Sequence, residues 1–183
     1  MKDIGKMGGI LFLIAAICTG LVGFANELTK EPIARQKLEA KNIAMQEVLP
    51  IAENFEEAMG NDEIAEVQIG IRKGAPIGYA LRVISKGYAD PIEIMIGVTN
   101  EGIVQGIKIL ASNETPGLGA NASDPNFTDQ FKEKDTVLKV LKGNNPGDDE
   151  VSAITGATIT SEAVTEGVNK AIEYVHSQEG GAQ

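Results

Sequence analysis

Hydrophobic and polar positions change rhythm three times along this chain. Residues 8–25 carry no charged side chain across 18 positions. As a helix this run spans roughly 27 Å, close to a bilayer's hydrocarbon core of about 30 Å. It exceeds the roughly 7–15 apolar residues of a signal core, so it reads as an uncleaved transmembrane helix led by the short polar segment 1–7. The competing reading is a signal peptide cleaved near Gly23-Phe24-Ala25. Ile17 directly before Cys18 is too bulky for a lipoprotein site. Within 26–50, Ile33, Lys37, Leu38, Lys41, Ala44, Met45 and Val48 form a modest amphipathic stripe that Pro50 ends. Glu31-Pro32-Ile33 opens this stretch, which reads as a stalk helix whose apolar face packs either on partner subunits or on the domain that follows.

The period then falls from helical to two. Residues 54–66 are acidic and polar and read as a surface segment. Val67, Ile69 and Ile71 alternate, and Lys73-Gly74-Ala75-Pro76 turns the chain. Residues 77–85, 92–99 and 103–110 complete four predicted strands, the last two joined by Asn100-Glu101-Gly102. Short connections between successive strands make an antiparallel meander. Phe127 and Phe131 stand at i, i+4 in a short predicted helix over 124–131. Residues 137–141 read as helix or strand, and 143–150 as a loop. Val164, Val168, Ala171, Ile172 and Val175 recur at helical spacing near the end, with Thr160 or Ser161 as the expected N-cap. Residues 177–183 read as a flexible tail. Helices before and after an antiparallel sheet give an α+β class: an N-terminal transmembrane helix, then an antiparallel-sheet domain with flanking helices.

Composition narrows the chemistry. The 183 residues are 43% hydrophobic with no Trp, three Tyr and five Phe, so the core must be mainly aliphatic. A net charge of −10 argues against nucleic acid, whose phosphates demand a basic surface. Cys18, the single cysteine, forms no internal disulfide, CxxC pair or iron–sulfur site by itself. There is no dinucleotide GxGxxG, P-loop or Ser/His/Asp set. No catalytic or metal-ligating residues are assigned. His176, the one histidine, stands near the end of the last predicted helix, where the dipole favours a cation.

Two short motifs carry candidate chemistry. Thr155-Gly156-Ala157-Thr158 puts hydroxyls and a glycine at the start of a helix, where free N–H groups and the macrodipole attract phosphate. Glu114-Thr115-Pro116-Gly117-Leu118-Gly119 follows the fourth strand, and its glycines permit positive φ and close approach to a planar ligand. The first motif resembles the flavinylation site of the FMN-binding subunits of Rnf electron-transport complexes and of sodium-pumping NADH:quinone reductases. The second resembles another signature of that family. Gly87, Tyr88, Pro91 and Ile92 and the junction Leu28, Thr29, Pro32, Ile33 and Ala34 extend the likeness over nearly the whole chain, closest to the RnfG branch. The family has an Asp where this chain has Ser152, although Asp148, Asp149 and Glu150 lie just upstream.

The resemblance implies FMN held covalently as a phosphoester on Thr158, with Glu114, Thr115, Gly117, Leu118, Gly119, Thr155, Gly156, Ala157 and Tyr88 around it. It implies an electron-relay subunit of a membrane-bound ferredoxin:NAD+ oxidoreductase that couples electron flow to Na+ or H+ translocation. Expected partners are the other membrane and iron–sulfur subunits of the Rnf complex, a flavin transferase for maturation, and the lipid bilayer. Residues 1–7 would be cytoplasmic, 8–25 transmembrane, 26–50 a stalk, and 51–176 an extracytoplasmic FMN-binding domain. Counting Lys2 and Lys6 before the apolar run against Lys30, Arg35, Lys37 and Lys41 after it favours the opposite orientation. Large domains translocate despite such charges, so the family's orientation is followed. The alternatives are the equivalent subunit of a sodium-pumping NADH:quinone reductase and a membrane-anchored binding module without redox work.

Overall fold

The computed structural model describes residues 2–143 and 145–180. Met1, Asn144 and 181–183 therefore lie outside the described residues, as do the parts of the 1–7 lead, the 143–150 loop and the 177–183 tail that fall on them. The chain divides into two units, Met1–Ala40 and Lys41–Gln183.

Helix α1 runs Lys2–Val48 with Pro32 inside it. Proline has no N–H to give to the carbonyl four residues back, yet the helix continues through it. In the first unit, Ile10, Leu11, Phe12, Leu13 and Ile14 are all exposed, as an apolar helix without a protein partner must be. The stretch is long and apolar enough to cross a membrane. Past it, Glu31 pairs with Arg35 at 2.7 Å one turn on.

The second unit is built on a five-stranded antiparallel sheet in the order β1-β2-β3-β4-β5. The strands are β1 Asn54–Ala58, β2 Glu66–Arg72, β3 Ala75–Lys86, β4 Pro91–Thr99 and β5 Val104–Ala111. The hairpin turn between β2 and β3 puts Lys73 and Gly74 at φ 51° and 78°, the conformation that matches strand twist. The apolar pattern marks four of these strands and misses β1. Its Glu56 and Glu57 are exposed, so no alternation marks it. It forms because it pairs with β2, Glu56 opposite Ile69. The segment read as polar surface is thus partly an edge strand, and edge strands tolerate charge.

One sheet face carries the main core. Leu81 and Val83 of β3 and Ile92, Ile94, Ile96 and Val98 of β4 meet Val164, Val168, Ala171, Ile172 and Val175 of the last helix, α3 Thr158–Gly180. Phe127 and Phe131 join this core edge to face at 5.3 Å. Phe127 belongs to α2, Pro125–Thr128, and Phe131 to a 3-10 turn directly after it, so the predicted short helix is split. The opposite face packs Ala80 and Met95 against Ala44, Met45 and Val48 of α1. Of residues 137–141 the last three are a strand: β6 Lys139–Leu141 pairs in parallel with β7 Glu150–Ser152. Strand β7 has no sequence signal, being three residues long. Helix α3 continues through 177–180, into the segment read as a tail.

Candidate functional site

Three connections meet beside the start of α3: the β3–β4 link, the loop after β5, and the β7–α3 link. Glu114 joins them. Its Oε1 accepts the Ala89 N–H at 2.9 Å, and its Oε2 accepts the Thr160 hydroxyl at 2.5 Å. Asn113 adds a bond from its side-chain amide to Asp90 Oδ2 at 3.1 Å. Glu114 is only 6% exposed. Burial raises its pKa, but the Thr160 hydroxyl and the backbone N–H groups of Ala89, Tyr88 and Asp90 outweigh it and hold the carboxyl below its ordinary range. Gly87 and Gly119 leave the carboxylate its space: a β-carbon on either would stand 2.6 Å from one of its oxygens.

The β7–α3 link is a tight turn. Ala157 N–H bonds Ile154 O at 2.9 Å, with Gly156 at φ 77° in the position where such a turn needs a left-handed residue. Helix α3 then begins at Thr158, earlier than its hydroxyl pattern suggests. Thr160 and Ser161 lie inside the first turn and do not cap it. The Ser161 hydroxyl accepts from Ile154 N–H at 2.9 Å and donates to Ala157 O at 3.0 Å, while that of Thr160 goes to Glu114. The hydroxyls thus tie the helix to neighbouring segments. The first-turn N–H groups of Thr158, Ile159 and Thr160 have no acceptor among the described residues.

These elements enclose a cavity of about 500 Å³. Of the residues singled out from sequence, Tyr88, Glu114, Thr115, Leu118, Gly119, Gly156, Ala157 and Thr158 line it. Gly117 and Thr155 do not. Gly117 sits at φ 76° in the Pro-Gly turn, where Leu118 N–H returns to Thr115 O at 3.1 Å. Thr155 is exposed one residue before Gly156. Ile159 and Thr160 also line the cavity. Ile159 went unnoticed in the sequence, although its place beside Thr158 in a first turn was the available signal. His176 is exposed and remote from this lining; its ring lies against the Gly102 turn.

The donor set and the walls fit a flavin mononucleotide. Three unpaired N–H groups at a helix N-terminus suit a phosphate. Tyr88, Leu118 and Ile159, exposed by 69%, 42% and 51%, offer apolar surface for an aromatic plane. The cavity volume falls in the roughly 300–1,000 Å³ range of cofactor sites. Thr158 is half-buried and lines the cavity from the first position of the helix.

A family model described as FMN-binding domain matches residues 87–173, and one described as RnfG N-terminal region matches residues 1–48. The chain is 38% identical to the G-type subunit of the Na+-translocating ferredoxin:NAD+ oxidoreductase complex of Acetobacterium woodii, over 94% of this chain and 91% of that one. It belongs to the RnfG family. This RnfG-family chain is also 36% identical to the corresponding subunit of the proton-translocating complex of Clostridium ljungdahlii, over 92% of this chain and 90% of that one. Among solved structures, the C-type subunit of the Na+-translocating NADH-quinone reductase of Parabacteroides distasonis shares its fold. The TM-score is 0.59 at 21% identity, covering 81% of this chain and 96% of that one. In this RnfG-family chain Ser152 ends β7, and its N–H donates to Gln130 Oε1 at 2.8 Å.

Proposed function

We propose that this chain is the FMN-bearing electron-relay subunit of an ion-translocating ferredoxin:NAD+ oxidoreductase, with FMN esterified through its phosphate to Thr158. The observation that carries the reading is the position of Thr158. It is the first residue of α3, it lines the cavity, and it stands beside three N–H groups without a protein acceptor among the described residues. The family relationship supports the complex; the domain match to residues 87–173 supports the cofactor.

Bound FMN supplies reversible electron transfer, and the chain's residues supply placement. Thr158 would hold the phosphate tail, and the N–H groups of α3's first turn would offset its remaining charge. Tyr88, Leu118 and Ile159 would cover the ring, and the Thr115 to Gly119 turn would bring backbone close to it. Gly156, with its positive φ, turns the chain so that Thr158 faces the cavity. In this reading the subunit relays electrons between its partners and has no independent catalysis.

The apolar part of α1 would anchor the subunit as a single pass, with the domain on the extracytoplasmic side next to other membrane and iron–sulfur subunits. One relative is named for Na+ and another for protons, so the coupled ion is Na+ or H+. A separate flavin transferase would form the bond. The test is to co-express the full chain with a flavin transferase, denature it, and resolve it by electrophoresis. Flavin fluorescence that migrates with the polypeptide supports the reading; a dark band removes its chemical basis.

A further inference from the structure

Glu114 is a buried carboxylate with no cation beside it. Among the described residues it forms no salt bridge; its partners are a hydroxyl and backbone N–H groups, all neutral. Burying an unpaired charge is costly, so a carboxyl in such a place either takes up a proton or is given enough donors to stay ionised. Here donors are provided on both oxygens. Two glycines, Gly87 and Gly119, leave open the space that β-carbons would take within 2.6 Å of the carboxylate. Holding these segments together does not require a charge: an amide oxygen would accept the Ala89 N–H, and the amide N–H would donate to Thr160 once that hydroxyl turns to accept. A carboxylate kept ionised in a cavity wall acts on whatever gains electrons in that cavity.

We propose that Glu114 is a fixed negative charge in the wall of the flavin cavity that lowers the reduction potential of the flavin held there. The inference rests on the reading of that cavity as the FMN site. Reduction adds negative charge to the cavity, and the Glu114 carboxylate, itself 6% exposed, opposes it. The neutral donors spread the charge without cancelling it. Glu114 is thus a charge-setting residue as well as a positioning one, and the two roles separate by experiment.

The test uses full-length wild type, E114Q, E114D and T160V, each co-expressed with a flavin transferase and checked for bound flavin by intact mass. Spectroelectrochemical titration at pH 8 then gives the midpoint potentials. E114Q keeps the Ala89 contact, pairs with Thr160 through a reversed hydrogen bond, and removes the charge; its potential moves positive. E114D keeps the charge, and its potential stays nearer the wild type than that of E114Q. T160V breaks the same bridge and keeps the charge, so it does not reproduce the positive shift. An E114Q potential equal to or below the wild type overturns the proposal. So does a T160V shift matching that of E114Q, because geometry alone would then move the potential. Should E114Q fail to fold, E114M/T160V removes the charge together with the hydroxyl that pairs with it, leaving only backbone donors to be satisfied, and must show the same positive shift. Wild type without flavin strikes the cofactor reading; loaded variants with unmoved potentials strike this one alone.

Discussion

The carbonyl oxygen of Val48 lies 2.0 Å from the point where a β-carbon on Gly97 would stand. The last turn of α1 therefore rests on bare β4 backbone. Ala44, Met45 and Val48 seal the contact against Ala80 and Met95. Leu49 extends it, with Cδ2 2.4 Å from the corresponding point on Gly70. Glycine is needed at 97 because a backbone atom occupies the space, and backbone has no rotamer with which to withdraw.

Gly97→Ala is accordingly expected to cost about 1–3 kcal/mol or more as an overpacked site. Gly106→Ala is the control, since its nearest neighbour, Val48 Cα, is 3.7 Å away, an ordinary contact. Thermal unfolding of the two variants checks this. A large drop in Tm for Gly97→Ala with little change for Gly106→Ala is the expected pair.

Gly156 and Gly117 separate backbone strain from site geometry. Both have positive φ, 77° and 76°, so alanine costs about 1–2 kcal/mol at either. At Gly156 a β-carbon also meets Leu118 Cδ2 at 3.0 Å, whereas at Gly117 it meets nothing within 4 Å. Both variants lose similar stability, but only Gly156→Ala is expected to load less flavin, because it displaces a cavity wall beside Thr158. Absorbance of bound flavin per polypeptide reads the difference.

Acid should weaken this domain through two carboxylates. Burial raises the Glu66 pKa, but the Lys41 ammonium, the Gln68 amide and the Arg82 guanidinium bring it below its ordinary value. Glu114 is lowered in the same direction by its neutral donors. A carboxyl with a lowered folded pKa binds its proton more readily in the unfolded chain. Its stabilisation is therefore complete above the ordinary value of 4.5 and is lost as pH falls through the lowered folded value. Urea denaturation between about pH 7 and about pH 3 should show this loss. In E114Q the acid limb should be shallower, with the Glu66 part remaining.

Much of the fold was legible in the apolar content of its strands, of which β4 is buried on both faces. Alternation marks β2, and β3 to β5 are apolar runs bounded by Gly, Pro and Asn turns. β1 was hidden because its residues are polar and its strand character comes from pairing with β2. The short parallel pair β6–β7 was hidden for a related reason: three-residue strands are set by their partner. The start of α3 was misjudged because Ser161 and Thr160 look like caps. Their hydroxyls instead bond the preceding turn and Glu114, which only tertiary structure decides. The site was legible as two motifs, 114–119 and 155–158. The sequence carried no sign that Thr160 bridges them through Glu114, 46 residues away along the chain.

The central claim is a covalent bond at one hydroxyl, and intact-protein mass spectrometry under denaturing conditions reads it directly. Wild type matured with a flavin transferase should exceed its bare chain by one FMN less a water, while Thr158→Val should match its bare chain and keep the wild-type circular dichroism. A wild-type mass equal to the bare chain, or an FMN adduct that persists in Thr158→Val, would contradict the account.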